Sequence, residues 1–281
     1  MALPFSKNQI VKLGERLIKD AEPSDDDLTA LSQLLLAYDD TLASALEVVR
    51  GLGFDPTSRV KNTGTILEKL ARHGGSWLKS IQDLAGMRIV LDGDRRTQDE
   101  AVHVIVQAFN AADREPKIID RRLQPSQGYR AVHVIVYPDG IPVEVQVRTK
   151  WQHEWADMFE KLADLIGRGI RYGEPPAHWW SAVEHVFEGK TPEQVAAGRK
   201  LYDSAYRVHT VMAESAVVLG DLIDELEEME AEEAEDPNSD EVAAAIRDLW
   251  DDVRESLATL RERMNDMTPV SQRGDLGSVS S

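Results

Sequence analysis

Cysteine is absent from all 281 residues, which excludes a disulfide framework and thiolate metal sites. No apolar run approaches the roughly 20 residues of a membrane-spanning helix, so no membrane partner is expected. The N-terminal "MALPFSKNQIVKLGERL" lacks the apolar stretch of a secretory signal, and a cytoplasmic location is the expectation. Basic residues are scarce as well: 32 Lys and Arg stand against 50 Asp and Glu, a net charge of −18. The distribution of that charge matters more than its total. Between Glu214 and Glu255 there are 17 acidic residues against two arginines, which leaves the rest of the chain at −3. A phosphate-rich ligand is therefore permitted outside the C-terminal segment.

What is present reads as helices, then strands interleaved with helices, then helices again, an α+β pattern with no internal repeat. Residues 6–20 and 25–51 have helical periodicity. The second run is capped by Ser24 and carries Asp25, Asp26 and Asp27 where the helix dipole favours them. "GLGFDPTSRVKNTGTILEKLARHGG" reads as a Gly/Pro-marked loop and a short helix. Strands are expected at "GMRIVL" (86–91) and "KIID" (117–120), with a helix over 97–111 between them. Further helices are expected over 150–167, 192–230 and 239–265, the last two joined by a turn at "EDPNSD". The Ser- and Gly-rich end of the chain is expected to be disordered.

"GYRAVHVIVYPDGIPVEVQVRT" (128–149) carries the chemistry. Asp139-Gly140 is a type I′ hairpin signal. A two-residue loop there pairs Val132 with Val147, Val134 with Val145 and Val136 with Val143, placing all six valines on one face. The opposite face pairs His133 with Gln146, Ile135 with Glu144 and Ala131 with Arg148, with Tyr129 further along. Either this is a solvated or covered polar sheet face, or it is a site. Two other clusters favour a site. Lys61, Thr65, Lys69 and Arg72 fall on one side of a helix, with Arg59 just before it, an arrangement suited to a polyphosphate. Asp83 precedes a buried strand that contains Arg88, a cation that burial obliges to find a partner or ligand.

In this order and spacing the segments resemble the synthetase domain of the RelA/SpoT family, pyrophosphokinases that make (p)ppGpp from ATP and GDP or GTP. The likeness covers about residues 55–172. It rests on Arg59-x-Lys61 with Lys69, on "DLAGMRI" from Asp83, on "GYRAVH" from Gly128, and on "VEVQVRT" from Val143 with His153 and Trp155 following. The resemblance implies a mixed β-sheet, nucleotidyltransferase-like synthetase core. N-terminal helices (1–54) would precede it, and an acidic helical extension (173–268) and a tail (269–281) would follow. It further implies an ATP- and Mg²⁺-dependent enzyme in which Asp83 and Glu144 are catalytic and hold the metal. Arg59, Lys61, Lys69 and Arg88 would bind ATP, while Tyr129, His133, Gln146, Arg148 and His153 would serve the acceptor.

The sequence also departs from the family pattern. The loop before the Gly-Tyr reads "QPSQGY", where the synthetases have a form like "PKxNGY". No histidine is followed by aspartate, the signature of the family's hydrolase half, so the likeness is to the small single-domain members. Two alternatives follow from the changed loop. One is a toxic relative that pyrophosphorylates tRNA 3′ ends, with Arg121-Arg122 and Arg168/Arg171 as its basic docking patch. The other is a degenerate member that binds nucleotide or a partner without catalysis. The acidic C-terminal helices read as a solvated hairpin with an apolar inner face, or as a shield for such a patch. Association of copies through them, and an antitoxin or regulatory partner, are left open by the residues.

Overall fold

In the computed structural model, residues 3–20, 22–110, 114–235 and 240–267 are described. They form two compact units, the first within 1–120 and 131–149 and the second within 121–130 and 150–267.

The first unit opens with α1 (Lys7–Leu17), whose Ser6 and Gln9 form a reciprocal capping box. Next comes α2 (Asp25–Gly51), capped by Ser24 as the sequence predicts. β1 (Thr57–Val60), α3 (Thr63–His73), β2 (Ala85–Leu91), α4 (Arg95–Phe109), β3 (Lys117–Asp120), β4 (Val132–Val136) and β5 (Val143–Thr149) follow. The five strands form one sheet in the order β1-β2-β5-β4-β3. β2 and β5 are parallel and the other pairs antiparallel, so the sheet is mixed and the class is α+β. Valine, isoleucine and methionine at alternate positions of β2, β4 and β5 bury one sheet face with residues of α1, α2 and α4, including Leu34, Leu42, Val49 and Ile105.

The hairpin register is the expected one at every paired position, from Val132 opposite Val147 to Val136 opposite Val143. Its turn has positive φ at both Asp139 and Gly140, and the amide of Ile141 donates to the carbonyl of Pro138 at 3.0 Å, as a type I′ turn requires. Pro142 has no N–H for a further ladder bond, which accounts for the strands stopping at Val136 and Val143. β1 is the element that local pattern does not announce. Within its Gly/Pro-marked loop, "TSRV" becomes a strand only because the edge of β2 is there to pair with it.

In the second unit, α5 (Lys150–Ile166) is followed by the short α6 (Trp180–Val183), by α7 (Pro192–Glu235) and by α8 (Asp240–Asn265). Trp155, Phe159, Leu162 and Ile166 of α5 pack with Ile223 and Leu226 of α7 and with Ile246, Trp250 and Leu257 of α8. The Trp151 and Trp250 rings stack with centroids 4.7 Å apart. Residues 236–239 of the expected turn and the tail from 268 lie outside the described residues. Among the described residues no helix is long and apolar enough to cross a membrane.

Candidate active site

The hairpin's second face is polar in the fold as in the sequence. Register aligns Gly86, Arg88 and Val90 of β2 with Glu144, Gln146 and Arg148 of β5, and His133 and Ile135 of β4 lie opposite Gln146 and Glu144. Two carboxylates on this unit organise what surrounds them.

Asp83 lies two residues before β2. Its carboxylate receives the ammonium of Lys61 through Oδ2 and that of Lys69 at 3.0 Å and 2.8 Å through Oδ1 and Oδ2. Lys69 comes from α3, but Lys61 does not. Asn62 is the N-cap, accepting from the amide of Thr65 at 2.8 Å, and the helix begins at Thr63. The expected single helical face of Lys61, Thr65, Lys69 and Arg72 therefore begins only at Thr65, whose hydroxyl is spent on the cap. Lys61 instead continues from β1, its amide donating to the carbonyl of Leu84 at 2.9 Å. The two lysines converge on Asp83 from different elements.

Glu144 is buried, with 8% of its surface exposed. Nδ1 of His133 lies 2.9 Å from Oε1, and the Gln146 amide nitrogen donates to Oε2 at 2.7 Å. Arg148 in turn donates to Oε1 of Gln146 at 3.1 Å. The polarity of this chain follows from its ends. A guanidinium can only donate and an ionised carboxylate can only accept, so the Gln146 amide has one orientation, and Nδ1 of His133 carries the proton.

Burial pushes both carboxylates up, and their partners more than offset it. The charges and hydrogen bonds of Lys69 and Lys61 hold Asp83 below the usual carboxylate range. The hydrogen bond and charge of His133, with help from Gln146, do the same for Glu144. Burial lowers Lys61 to about 8, outweighing the charge and hydrogen bond of Asp83, and the neighbouring Lys69 adds to the fall. For Lys69, burial is outweighed by Asp83, assisted by Glu144, and the net direction is upward. The charge of Asp83 also works to raise Glu144, so the two carboxylates feel one another.

That mutual repulsion is what a divalent cation relieves. Mg²⁺ takes hard oxygen ligands and commonly uses one or two carboxylates, with phosphates and waters completing its shell. Asp83 and Glu144 fit this donor set. Among the described residues no group of three or more His, Asp or Glu is arranged to hold a metal alone, so the remaining ligands would come from substrate and water.

Arg88 is half-buried on the same face of the sheet. The backbone of Arg59 pairs with Gly86, and its side chain lies outside the described residues. Tyr129 and His153 belong to the second unit. Tyr129 does not extend the β4 ladder, which starts at Val132, so the expected pairing of Ala131 with Arg148 lies beyond the ladder. It closes a second type I′-like turn, Ser126 to Tyr129. Gln127 and Gly128 both have positive φ there, and the Tyr129 amide donates to the Ser126 carbonyl at 3.0 Å. The altered loop thus puts Gln where Asn or Gly tolerates the left-handed backbone better.

Arg130, which the sequence reading passed over, fastens this turn. It is 7% exposed and donates to the Gly128 carbonyl at 3.2 Å and to Asp221 of α7 at 3.0 Å, with Asp224 at 2.9 Å. Asp221 and Asp224, three residues apart on one helical face, were the available sequence signal. His153 is half-buried on α5. Arg168 and Arg171 pair with Asp164 and Glu160 at 2.8 Å and 3.8 Å.

Comparison with known proteins agrees with the resemblance. Residues 58–164 match the family model described as a region found in RelA/SpoT proteins. Over 197 residues the chain is 36% identical to the uncharacterized protein Rv1366 of Mycobacterium tuberculosis, an overlap of 68% of each chain. The uncharacterized protein Mb1401 of Mycobacterium bovis matches equally. Among solved structures, small alarmone synthetase 1 from Bacillus subtilis aligns at 20% identity with a TM-score of 0.42, covering 74% of this chain and 98% of its own. A GTP pyrophosphokinase family protein from Streptococcus pneumoniae aligns at 21% with a TM-score of 0.40, covering 70% and 96%.

Proposed function

The chain belongs to the RelA/SpoT family, and from that premise we propose that it is an ATP-dependent pyrophosphokinase. In this reading it moves the β,γ-pyrophosphate of ATP to a ribose 3′-hydroxyl, with GDP or GTP as the acceptor that makes (p)ppGpp. The observation that carries the reading is the pairing of two coupled carboxylates on one unit. Asp83 is held by two lysines, and Glu144 is held between His133 and Gln146.

Lys61 and Lys69 turn from Asp83 to the triphosphate, where their charge counters what develops as the pyrophosphoryl group moves. Asp83 and Glu144 would hold Mg²⁺, which would supply further neutralisation of the phosphates. The acceptor 3′-oxygen bonds to the β-phosphorus, and the bond from that phosphorus to the α,β-bridging oxygen breaks. AMP leaves, and the hydroxyl proton passes to Glu144. A carboxylate held low is ionised at neutral pH but is a weak base. It suits a loose transfer in which the hydroxyl becomes acidic as it bonds. His133 and Gln146 orient that carboxylate, and Arg148 orients Gln146. Arg59 and Arg88 flank the adenine.

Transfer to tRNA is the weaker reading, because Arg168 and Arg171 of the basic patch it needs are engaged by Asp164 and Glu160. The test is incubation of the protein with ATP labelled at the γ-phosphate and Mg²⁺, offering GDP, GTP and tRNA separately. Label on a guanosine nucleotide, lost in Glu144→Gln, is the expected result. Label on tRNA replaces the acceptor. No label on any acceptor, from protein that still binds ATP, overturns the proposal.

A further inference from the structure

Gly86 sits inside the sheet, paired with Glu144 of β5 on one side and with Arg59 of β1 on the other. Glycine is a poor residue for such a position. It loses the most backbone freedom on folding and adds no side chain to the sheet face. Nor does the fold require it. Its φ is not positive. Among the described residues, a Cβ built on it would meet Glu144 alone, the carbonyl oxygen at 3.3 Å and the Cβ at 3.8 Å. Gly14 of α1 and Gly75 show the contrast, because a Cβ on either would run into the backbone of the segment facing it.

The missing side chain belongs to the polar face. Met87 and Ile89 align with Val145 and Val147, and all four are buried in the core. Alternation therefore leaves Gly86 on the side of Arg88, Glu144 and Gln146. Glu144 turns Oε1 to His133 of β4 and Oε2 to Gln146 of its own strand, so its flank toward β2 is bordered by Gly86. Asp83, which carries Lys61 and Lys69, lies three residues before Gly86 in the chain. Its charge is felt by Glu144, and that of Glu144 by Lys69. A side chain at position 86 would fill the ground beside Glu144 at the end of the sheet where these charges gather. A glycine that folding does not need, in that place, marks where a ligand comes closest to the backbone.

We propose that Gly86 is the floor of the donor seat. Its bare backbone lets the metal-bound triphosphate of the nucleotide lie against the sheet beside Glu144, and a side chain there shuts it out. The inference rests on the donor reading above and deepens it with a residue that carries no charge and moves no proton. Its contribution is space.

Calorimetric titration of the full chain with ATP and Mg²⁺ tests it, using Gly86→Ala, Gly86→Ser and Gly86→Val with thermal unfolding alongside. Affinity should fall with side-chain volume, by about threefold for alanine and about tenfold or more for valine. Tm should move by no more than about 3 °C, because strand propensity rises from glycine to valine while the contact with the Glu144 carbonyl tightens. A glycine needed only for folding gives the opposite pattern, a lower Tm with unchanged affinity in the folded protein. Valine that binds as tightly as the wild type overturns the proposal and leaves the pyrophosphokinase reading standing. So does a loss of affinity that does not follow side-chain volume. A wild type that does not bind ATP overturns that reading, and this inference with it.

Discussion

Nδ1 of His133 on β4 and Oε1 of Glu144 on β5 lie 2.9 Å apart, in a ladder where these residues are diagonal neighbours on one face. The contact is made by strand register, so it is as rigid as the sheet. The imidazole donates to a buried carboxylate and so holds its charge and direction together.

Replacing that carboxylate should therefore remove chemistry and spare the fold. Glu144→Gln is expected to lower kcat by about 10²–10⁴-fold, the usual scale for a positioned acid or base. His133→Asn should cost less, because Glu144 keeps Gln146, and it should move the acid limb of the rate profile upward as the carboxylate loses its imidazole partner. Steady-state kinetics from pH 5 to 8 measure both, with thermal unfolding as the control.

Asp83 is a different case, because stability and function share it. Asp83→Asn leaves two partly or fully buried ammoniums without their carboxylate. The expected cost is about 2 kcal/mol. It lies below the range of a fully buried pair because Asp83 and Lys69 keep 28% and 32% exposure. Urea denaturation reads this. Asp83→Asn should also abolish the Mg²⁺-dependent rise in ATP affinity, which a purely structural carboxylate would not affect.

Lys61 gives a pH signature on the alkaline side. Its folded pKa, near 8, is below its ordinary value of 10.5, so the folded state binds fewer protons between those values. The penalty from this group is full below about pH 8 and is relieved as pH rises toward 10.5. The wild type should thus gain stability relative to Lys61→Met across that window. Urea midpoints of the two proteins at pH 7, 8.5 and 9.5 give the difference. A difference independent of pH would show that Lys61 is not depressed.

The Tyr129 turn should respond to backbone chemistry. At Gly128, φ is +80° and an added Cβ would come within 2.8 Å of Trp155, so Gly128→Ala is expected to destabilise by more than about 1 kcal/mol. Gln127→Asn should stabilise by a few tenths of a kcal/mol, about what a better left-handed residue supplies. Urea denaturation of the two variants against the wild type measures both effects.

Much of this protein is local and legible in the sequence. Ser24 with three aspartates starts a helix, alternating valines with Asp-Gly set the register of β4 and β5, and both follow from backbone sterics and hydrogen bonding along a few residues. That register alone places Glu144, His133 and Gln146 on one face. Other features required the chain to return on itself. β1 exists because β2 offers an edge, and Lys61 reaches Asp83 from outside α3 because Asn62 caps that helix one residue later. Arg130 is buried only because α7, some ninety residues on, brings Asp221 and Asp224 to it. Periodicity and capping are properties of neighbours in sequence. Which distant charge pays the desolvation of a buried lysine or arginine is decided by packing, and only the tertiary structure holds that information.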